Sequence, residues 1–169
     1  TLPRVHVSVM GFEKGVPGMA EMALICALLP LAATGAVMST YISWLLGPVP
    51  PDQGQGPRET HLVVVDNGRS EILNSPYWEI LMCLRCASCL NHCPIYCRAG
   101  GHTYGGAYSG PMGSVFNSLL GQGQPDDHLA QASTLCGRCR EMCPMGIDLP
   151  GLLTKLRQRD DAPPKGLPP

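Results

Sequence analysis

Four closely and regularly spaced cysteines constrain this 169-residue chain more than any other feature. The run consists of Cys83, Cys86, Cys89 and Cys93, with Pro94 directly after the last cysteine. This C-x2-C-x2-C-x3-C-P spacing is typical of segments in which three thiolates hold one iron-sulfur cluster and the fourth ligates a neighbouring cluster. The sequence therefore predicts a chain organised around inorganic clusters.

A second run repeats the last three cysteines and the proline of the first, at Cys136, Cys139, Cys143 and Pro144. Because the fourth cysteine of each run ligates the other cluster, the two runs divide into two ligand sets. The first set, which we call cluster A, is a predicted [4Fe-4S] site of Cys83, Cys86, Cys89 and Cys143. The second set, cluster B, is a predicted [4Fe-4S] or [3Fe-4S] site of Cys93, Cys136 and Cys139.

Cluster B is one cysteine short, because Ser133 stands where the second run would begin. A fourth ligand could come from Ser133, Cys97, His92, water or another chain; otherwise the cluster is [3Fe-4S] or has an open iron that meets a substrate. Cys97 follows Cys93 by one helical turn, which suits either a ligand or a small buried thiol. His92 suits a ligand, a hydrogen-bond donor to cluster sulfur or a solvent-facing loop residue.

Composition narrows the classes of function. A net charge of -1 gives no reason to expect a nucleic acid partner, and 20 glycines with 17 prolines indicate a loop-rich fold. Clustered C-x2-C spacing favours thiolate ligation in a reducing compartment over disulfides, so we expect a cytoplasmic protein.

Zinc is the alternative metal, but seven cysteines do not divide into four-thiolate sites. No paired carboxylates, hydrolase triad or activated nucleophile provides catalytic residues, so the expected chemistry is electron transfer.

Two strands are predicted ahead of the cysteines. Residues 4–10 alternate, which predicts a half-buried strand with Val5, Val7 and Val9 facing inward and His6 exposed. Residues 61–66 predict a buried strand closed by the turn at Asn67-Gly68. The strands either pair with each other or belong to a larger sheet, since two strands alone are marginally stable.

Residues 22–46 carry no charge and are long enough for a membrane-spanning helix of about 20 residues. Pro30, Gly35 and several hydroxyl residues instead favour two helices, broken near Pro30–Gly35 and packed on a protein core, with Cys26 buried.

Residues 47–58 are rich in proline and glycine and predict a linker. Further helices are predicted from Ser75-Pro76, after Pro94, over about 112–120, from Pro125, and over about 149–159.

A glycine-rich loop lies between the two cysteine runs, at residues 100–111. It has neither the dinucleotide-binding order nor the phosphate-loop ending, so nucleotide binding is not indicated. Either its glycines pack where no side chain fits, or its backbone closely approaches a cluster or substrate. In the second case His102, Tyr104 and Tyr108 line the approach.

The sequence resembles the iron-sulfur protein B family of bacterial L-lactate utilisation. The segments that carry the resemblance are residues 1–6, 65–69, 83–94, 100–102 with 104–105, 108 with 110–111, and 133–144. The resemblance implies a three-protein system that oxidises L-lactate to pyruvate, in which this protein passes electrons through its clusters to or from partner proteins. The cluster subunit of a membrane quinone-linked or heterodisulfide-type reductase is the alternative, because it uses the same paired cysteine runs.

The resemblance also implies the domain organisation. Family members are longer and carry an α/β domain ahead of the clusters, so the fold class is expected to be mainly α, with a short α/β remnant at residues 1–70. An α-helical, ferredoxin-like di-cluster domain is expected at residues 71–160. The proline-rich composition of residues 161–169, which the resemblance does not cover, predicts a disordered tail. Two departures stand out: Cys97 replaces a usual arginine, and residues 22–46 lack the family's charges, which leaves membrane association possible but not favoured.

Overall fold

The computed structural model describes residues 3–121 and 129–159. Its mainly helical architecture, with one small sheet, confirms the predicted fold class. Short 3₁₀ helices lie at Phe12–Lys14, Trp78–Met82 and Gly101–Tyr104. The strands and α-helices are β1 (Val5–Gly11), α1 (Met19–Thr34), β2 (Glu59–Val65), α2 (Arg69–Leu73), α3 (Ser88–Asn91), α4 (Pro94–Ala99), α5 (Gly110–Leu119), α6 (Arg138–Glu141) and α7 (Leu149–Arg159).

The two strands pair with each other in parallel. The register runs from Val5 opposite Glu59 to Gly11 opposite Val65. Parallel neighbours need a long crossover, which α1 and the irregular residues 36–58 provide. The described residues before α2 therefore form one β-α-β unit, and the proline-rich stretch lies inside its crossover.

The predicted orientation of β1 was wrong. Its alternation is present, but Val5, Val7 and Val9 are 44%, 54% and 67% exposed, whereas His6 and Ser8 are half-buried. The His6 ring nitrogen Nε2 lies 3.0 Å from Ser8 Oγ. A period of two separates the faces of a strand, but only tertiary packing decides which face is covered.

The uncharged stretch forms one helix instead of the two that were predicted. Helix α1 continues through Pro30 and ends at Gly35, whose left-handed φ of 74° closes its C-terminus. Residues 36–46 contain no helix or strand, since they are exposed and lack an apolar surface to pack on. No α1 side chain is fully buried, and Cys26 is only half-buried. Within the described residues, no helix has the length and apolar character to cross a membrane.

The hydrophobic core lies after the sheet, where α5 packs against α7 and against the turn at residues 78–82. Ile80, Val115, Phe116 and Leu153 are completely inaccessible to solvent. Helix α7 has its predicted bounds, and α5 begins two residues earlier than predicted. The helix predicted from Ser75-Pro76 is a 3₁₀ turn. The start of the helix predicted from Pro125 and the predicted tail lie outside the described residues.

Candidate metal centre

Four cysteines from the two runs surround one cavity of about 150 Å³, which we call cavity A. They are the residues predicted to ligate cluster A: Cys83, Cys86, Cys89 and Cys143. A site for one water needs only about 10–15 Å³, so cavity A accommodates a much larger group. Four sulfur donors around a mostly apolar cavity of this size fit an iron-sulfur cluster. Their assignment as ligands stays a prediction.

Local backbone conformation directs these sulfurs inward. Arg85 and Ala87 flank the second cysteine, and both have left-handed φ values, 62° and 65°, that non-glycine residues rarely adopt. The Arg85 amide donates a hydrogen bond of 3.4 Å to Cys83 Sγ. The chain then enters α3, which contacts α6 ahead of Cys143. The short spacing thus forms a loop around cavity A, and helix contacts bring in the distant cysteine.

The electrostatics of cavity A favour a cationic occupant among the thiolates. Burial, and secondly the charge of the nearby Cys83, raise the pKa of the Cys89 thiol to about 12. Burial also raises the pKa of Cys83, although the hydrogen bond from the Arg85 amide and, less strongly, the charge of the Arg85 guanidinium oppose this. Thiolates therefore share this cavity only when positive charge offsets their desolvation and mutual repulsion, which the iron of a cluster provides.

The cysteines predicted for cluster B differ in their exposure to solvent. Cys139 is buried and Cys136 is exposed. The pKa of the Cys139 thiol is raised to about 11. Burial is the main cause, the charge of Cys136 is the second, and the charge of Cys93 contributes less. Cys93 and Ser133 line a second, small cavity of about 10 Å³, which we call cavity B. In the described residues no three His, Cys, Asp or Glu side chains form a site for a single metal ion.

The candidates for the missing ligand have different surroundings. Ser133 lines cavity B, whereas Cys97 is exposed and its Sγ lies 3.8 Å from the Asn91 carbonyl oxygen. His92 has its Nδ1 atom 2.9 Å from the Ser88 carbonyl oxygen. That contact leaves only Nε2 of His92 for another partner.

A cationic wall of cavity A was missed by sequence reasoning. Arg85 lines the cavity, and its guanidinium carbon lies 4.0 Å from the Tyr108 ring centroid and 4.6 Å from that of Phe116. Lys14, from the β-α-β unit, donates a hydrogen bond to the Cys83 carbonyl oxygen. Desolvation and the charge of Arg85 lower the pKa of Lys14. Cysteine spacing carries no information about these cations, because it constrains only the ligands.

A buried ion pair joins the β-α-β unit to the wall of cavity A. Arg69 Nε and Glu13 Oε2 lie 3.0 Å apart, with side chains only 9% and 6% exposed. The N–H of this contact is poorly aligned for a hydrogen bond, so the contact is mainly one of charge. Arg69 also donates hydrogen bonds to the Asp66 carbonyl, at 3.0 Å, and to the Tyr108 hydroxyl, at 3.3 Å. No local sequence pattern signals this long-range pair.

The glycine-rich loop shows features of both predicted roles. A Cβ atom at Gly106 would lie 2.5 Å from Asn117 Nδ2, and one at Gly110 would lie 2.7 Å from Leu90. These glycines therefore permit close packing. Tyr108 lines cavity A and Tyr104 lines cavity B, whereas the exposed His102 is not among the lining residues of either.

Comparison with known proteins supports the presence of iron-sulfur clusters. A family described as a 4Fe-4S dicluster domain matches residues 79–147. This range contains all seven predicted cysteine ligands. No solved structure matches the chain significantly.

Curated relatives extend the similarity beyond the cysteines. Lactate utilization protein B of Bacillus licheniformis is 46% identical over 159 residues, covering 94% of this chain and 33% of the relative. The proteins of the same name from Bacillus thuringiensis and Bacillus cereus are each 46% identical over 158 residues, with the same coverage. The chain thus spans about one third of the length of these relatives. The chain is therefore similar to about one third of lactate utilization protein B, and its residues 79–147 match a 4Fe-4S dicluster domain.

Proposed function

We propose that this chain relays electrons through two iron-sulfur clusters in an assembly that oxidises L-lactate to pyruvate. The observation that carries the proposal is cavity A, where four cysteines from two runs meet. A bound cluster supplies a one-electron redox centre, whose potential depends on burial, nearby charge and hydrogen bonds to sulfur. The chain's own residues hold the cluster, keep water away from it and place Arg85 beside it.

Proximity of the two ligand sets supports a relay. Helices α3 and α6, which carry Cys89 and Cys139, contact each other. Burial is the main cause of the raised pKa of Cys89, and the charge of Cys139 is a smaller contribution. An electron that reaches one set of ligands therefore has a near neighbour at the other.

The lactate assignment rests on the relatives' names and on the electron count. Oxidation of L-lactate to pyruvate releases two electrons and two protons, and two one-electron centres together accept both electrons. The chemical step on lactate is assigned to another subunit, and an electron donor or acceptor protein completes the path. A reducing compartment, the cytoplasm, suits these free thiols.

The β-α-β unit is assigned to a larger α/β domain. Its exposed β1 valines and β2 apolar residues form sheet surfaces that a stable domain covers with further layers. A chain extended to the relatives' length is expected to protect the β1 amides from hydrogen exchange more strongly than the 169-residue chain does. Equal protection in both would contradict this assignment.

Metal analysis of cysteine variants tests the cluster assignment. After anaerobic purification we expect iron and acid-labile sulfide, with EPR signals of two clusters. Cys143→Ala is expected to lose about half of the iron by removing a cluster A ligand, whereas Cys97→Ala keeps it. Zinc without sulfide, or full iron retention in Cys143→Ala, would contradict the proposal.

Growth tests the physiological assignment separately. Deleting the gene is expected to abolish growth on L-lactate, and the wild-type gene but not Cys143→Ala is expected to restore it. Unchanged growth on L-lactate would reject the lactate assignment. Loss of quinone or heterodisulfide reduction instead would establish the alternative reductase.

A further inference from the structure

We propose that Ser133 Oγ ligates the fourth iron of cluster B, making it a [4Fe-4S] cluster with three thiolates and one alkoxide. This inference rests on the proposed function, because it requires cluster B to be present. It goes further by assigning the non-cysteine ligand.

An internal repeat places Ser133 in register with a cysteine. Ser133 lies 50 positions after Cys83, and each later member of the first run has its counterpart at the same offset. The matched pairs are Cys86 and Cys136, Cys89 and Cys139, Cys93 and Cys143, and Pro94 and Pro144. Since Cys83 begins the first ligand set, Ser133 occupies the equivalent position in the second.

The two runs share a backbone conformation as well as a spacing. Arg85 and Leu135 both have left-handed φ values, 62° and 53°, directly before the matched cysteines. Ala87 and Gly137, directly after them, have φ values of 65° and 84°. A four-residue helix follows each loop, α3 in the first run and α6 in the second. Equivalent positions in these loops therefore present their side chains in equivalent ways.

The hydroxyl of Ser133 makes the same local contact as the sulfur of Cys83. The amide of Arg85 donates to Cys83 Sγ at 3.4 Å, and the amide of Leu135 donates to Ser133 Oγ at 3.2 Å. In each case the donor lies two residues after the acceptor. The Ser133 oxygen is therefore oriented in its loop as a ligand sulfur is in the first.

Cavity B brings the Ser133 oxygen close to Cys93. Ser133 and Cys93 both line it, as Cys83 and Cys143 both line cavity A. Cys93 is the residue that the first run provides to cluster B. Cys136 and Cys139 are not among its lining residues, so cavity B places Ser133 beside Cys93 and does not outline the whole of cluster B.

Arg157 holds the backbone of this segment in place. From α7 its Nε donates to the Ala130 carbonyl at 2.9 Å, and its Nη2 donates to the carbonyl oxygens of Gln131 and Ser133. One guanidinium thereby joins three backbone positions leading to the proposed ligand. Such support restricts the position of the Ser133 hydroxyl before a metal binds.

Ligation is a coordination step and not a redox step. An Fe–O bond forms, the serine O–H bond breaks, and the proton passes to solvent while the oxidation state of iron is unchanged. Oxygen is a harder donor than thiolate, so it binds the more oxidised iron preferentially. We expect the reduction potential of cluster B to rise when the serine is replaced by cysteine.

Variants at position 133 test the proposal by metal content and spectroscopy. We expect Ser133→Ala to lose about one iron in eight and to show a [3Fe-4S] EPR signal after anaerobic oxidation. Ser133→Cys is expected to retain the iron of the wild type and to raise the potential of cluster B. Thr134→Ala, a change at the adjacent exposed position, is the matched control and leaves both properties unchanged.

The outcomes separate this inference from the proposed function. The EPR signal of cluster A serves as an internal measure that each variant has folded. If Ser133→Ala retains all its iron and its cluster B spectrum, or if the wild type is already [3Fe-4S], serine ligation is rejected while the relay stands. If Cys97→Ala loses iron and Ser133→Ala does not, the fourth ligand is Cys97 and not Ser133. Absence of any cluster B signal in the wild type rejects the two-cluster proposal itself.

Discussion

Replacing Arg69 with leucine is expected to destabilise the chain by about 3 kcal/mol, although position 69 lies outside the cysteine runs. The change leaves the Glu13 carboxylate buried without its guanidinium partner, which lies 3.0 Å away in the native protein. It also removes the hydrogen bonds to the Asp66 carbonyl and the Tyr108 hydroxyl. The β-α-β unit would thereby lose its charged attachment to the wall of cavity A.

The magnitude follows from burial. Removing one partner of a buried ion pair costs about 3–5 kcal/mol, because the other charge stays desolvated. Lys14 Nζ lies 3.9 Å from Glu13 Oε1 and compensates part of that cost, so we expect the lower end of the range. Adding Glu13→Gln to Arg69→Leu removes the uncompensated charge and is expected to recover about 1 kcal/mol or more.

Anaerobic urea unfolding, followed by far-UV circular dichroism, measures these differences. The exposed pair of Arg138 and Glu141 offers a matched control, with its charged atoms 2.9 Å apart and its side chains 57% and 60% exposed. Arg138→Leu is expected to cost at most about 1 kcal/mol. Equal shifts for Arg69→Leu and Arg138→Leu, or a double variant less stable than Arg69→Leu alone, would refute the reasoning.

Two further predictions concern the Arg85 wall of cavity A and the close packing of Gly113 in α5. Arg85→Gln is expected to lower the reduction potential of cluster A, on the order of tens of millivolts, because a nearby positive charge stabilises the reduced cluster. An EPR-monitored redox titration measures this, and an equal shift in the exposed control Arg98→Gln would contradict it. Gly113→Ala is expected to cost about 1–3 kcal/mol in urea unfolding, since the added Cβ meets the Tyr108 carbonyl oxygen at 2.3 Å. Gly101→Ala, whose nearest contact is 3.4 Å, should cost less.

Local signals accounted for much of the fold. Proline at the first helical position marked the start of α4, and apolar periodicity matched the bounds of α7. Both depend on residues within a few turns of each other. Sequence reasoning was wrong where an element needs a partner surface: the uncharged stretch forms one helix, and the valine face of β1 is exposed. Neither hydropathy nor alternation indicates what packs against a segment.

In the candidate site, too, some features follow from local sequence and others depend on tertiary structure. Cysteine spacing grouped the predicted ligands, and the structure places the cluster A set around one cavity. The sequence left the identity of the missing cluster B ligand open, because Ser133, Cys97 and His92 each lie within a few residues of a predicted cluster B cysteine. Their surroundings now favour Ser133, through a backbone conformation and a cavity that spacing does not describe.

The sequence by itself determined the cofactor class and the two cysteine runs, because short spacing limits how neighbouring sulfurs can be arranged. Tertiary structure decided which charges surround them. Lys14 contacts Cys83 across 69 residues, Arg69 reaches Tyr108 across 39, and Arg157 holds the Ser133 backbone across 24. These contacts form only when helices and strands pack, since side-chain contacts at such separations depend on the path of the whole chain.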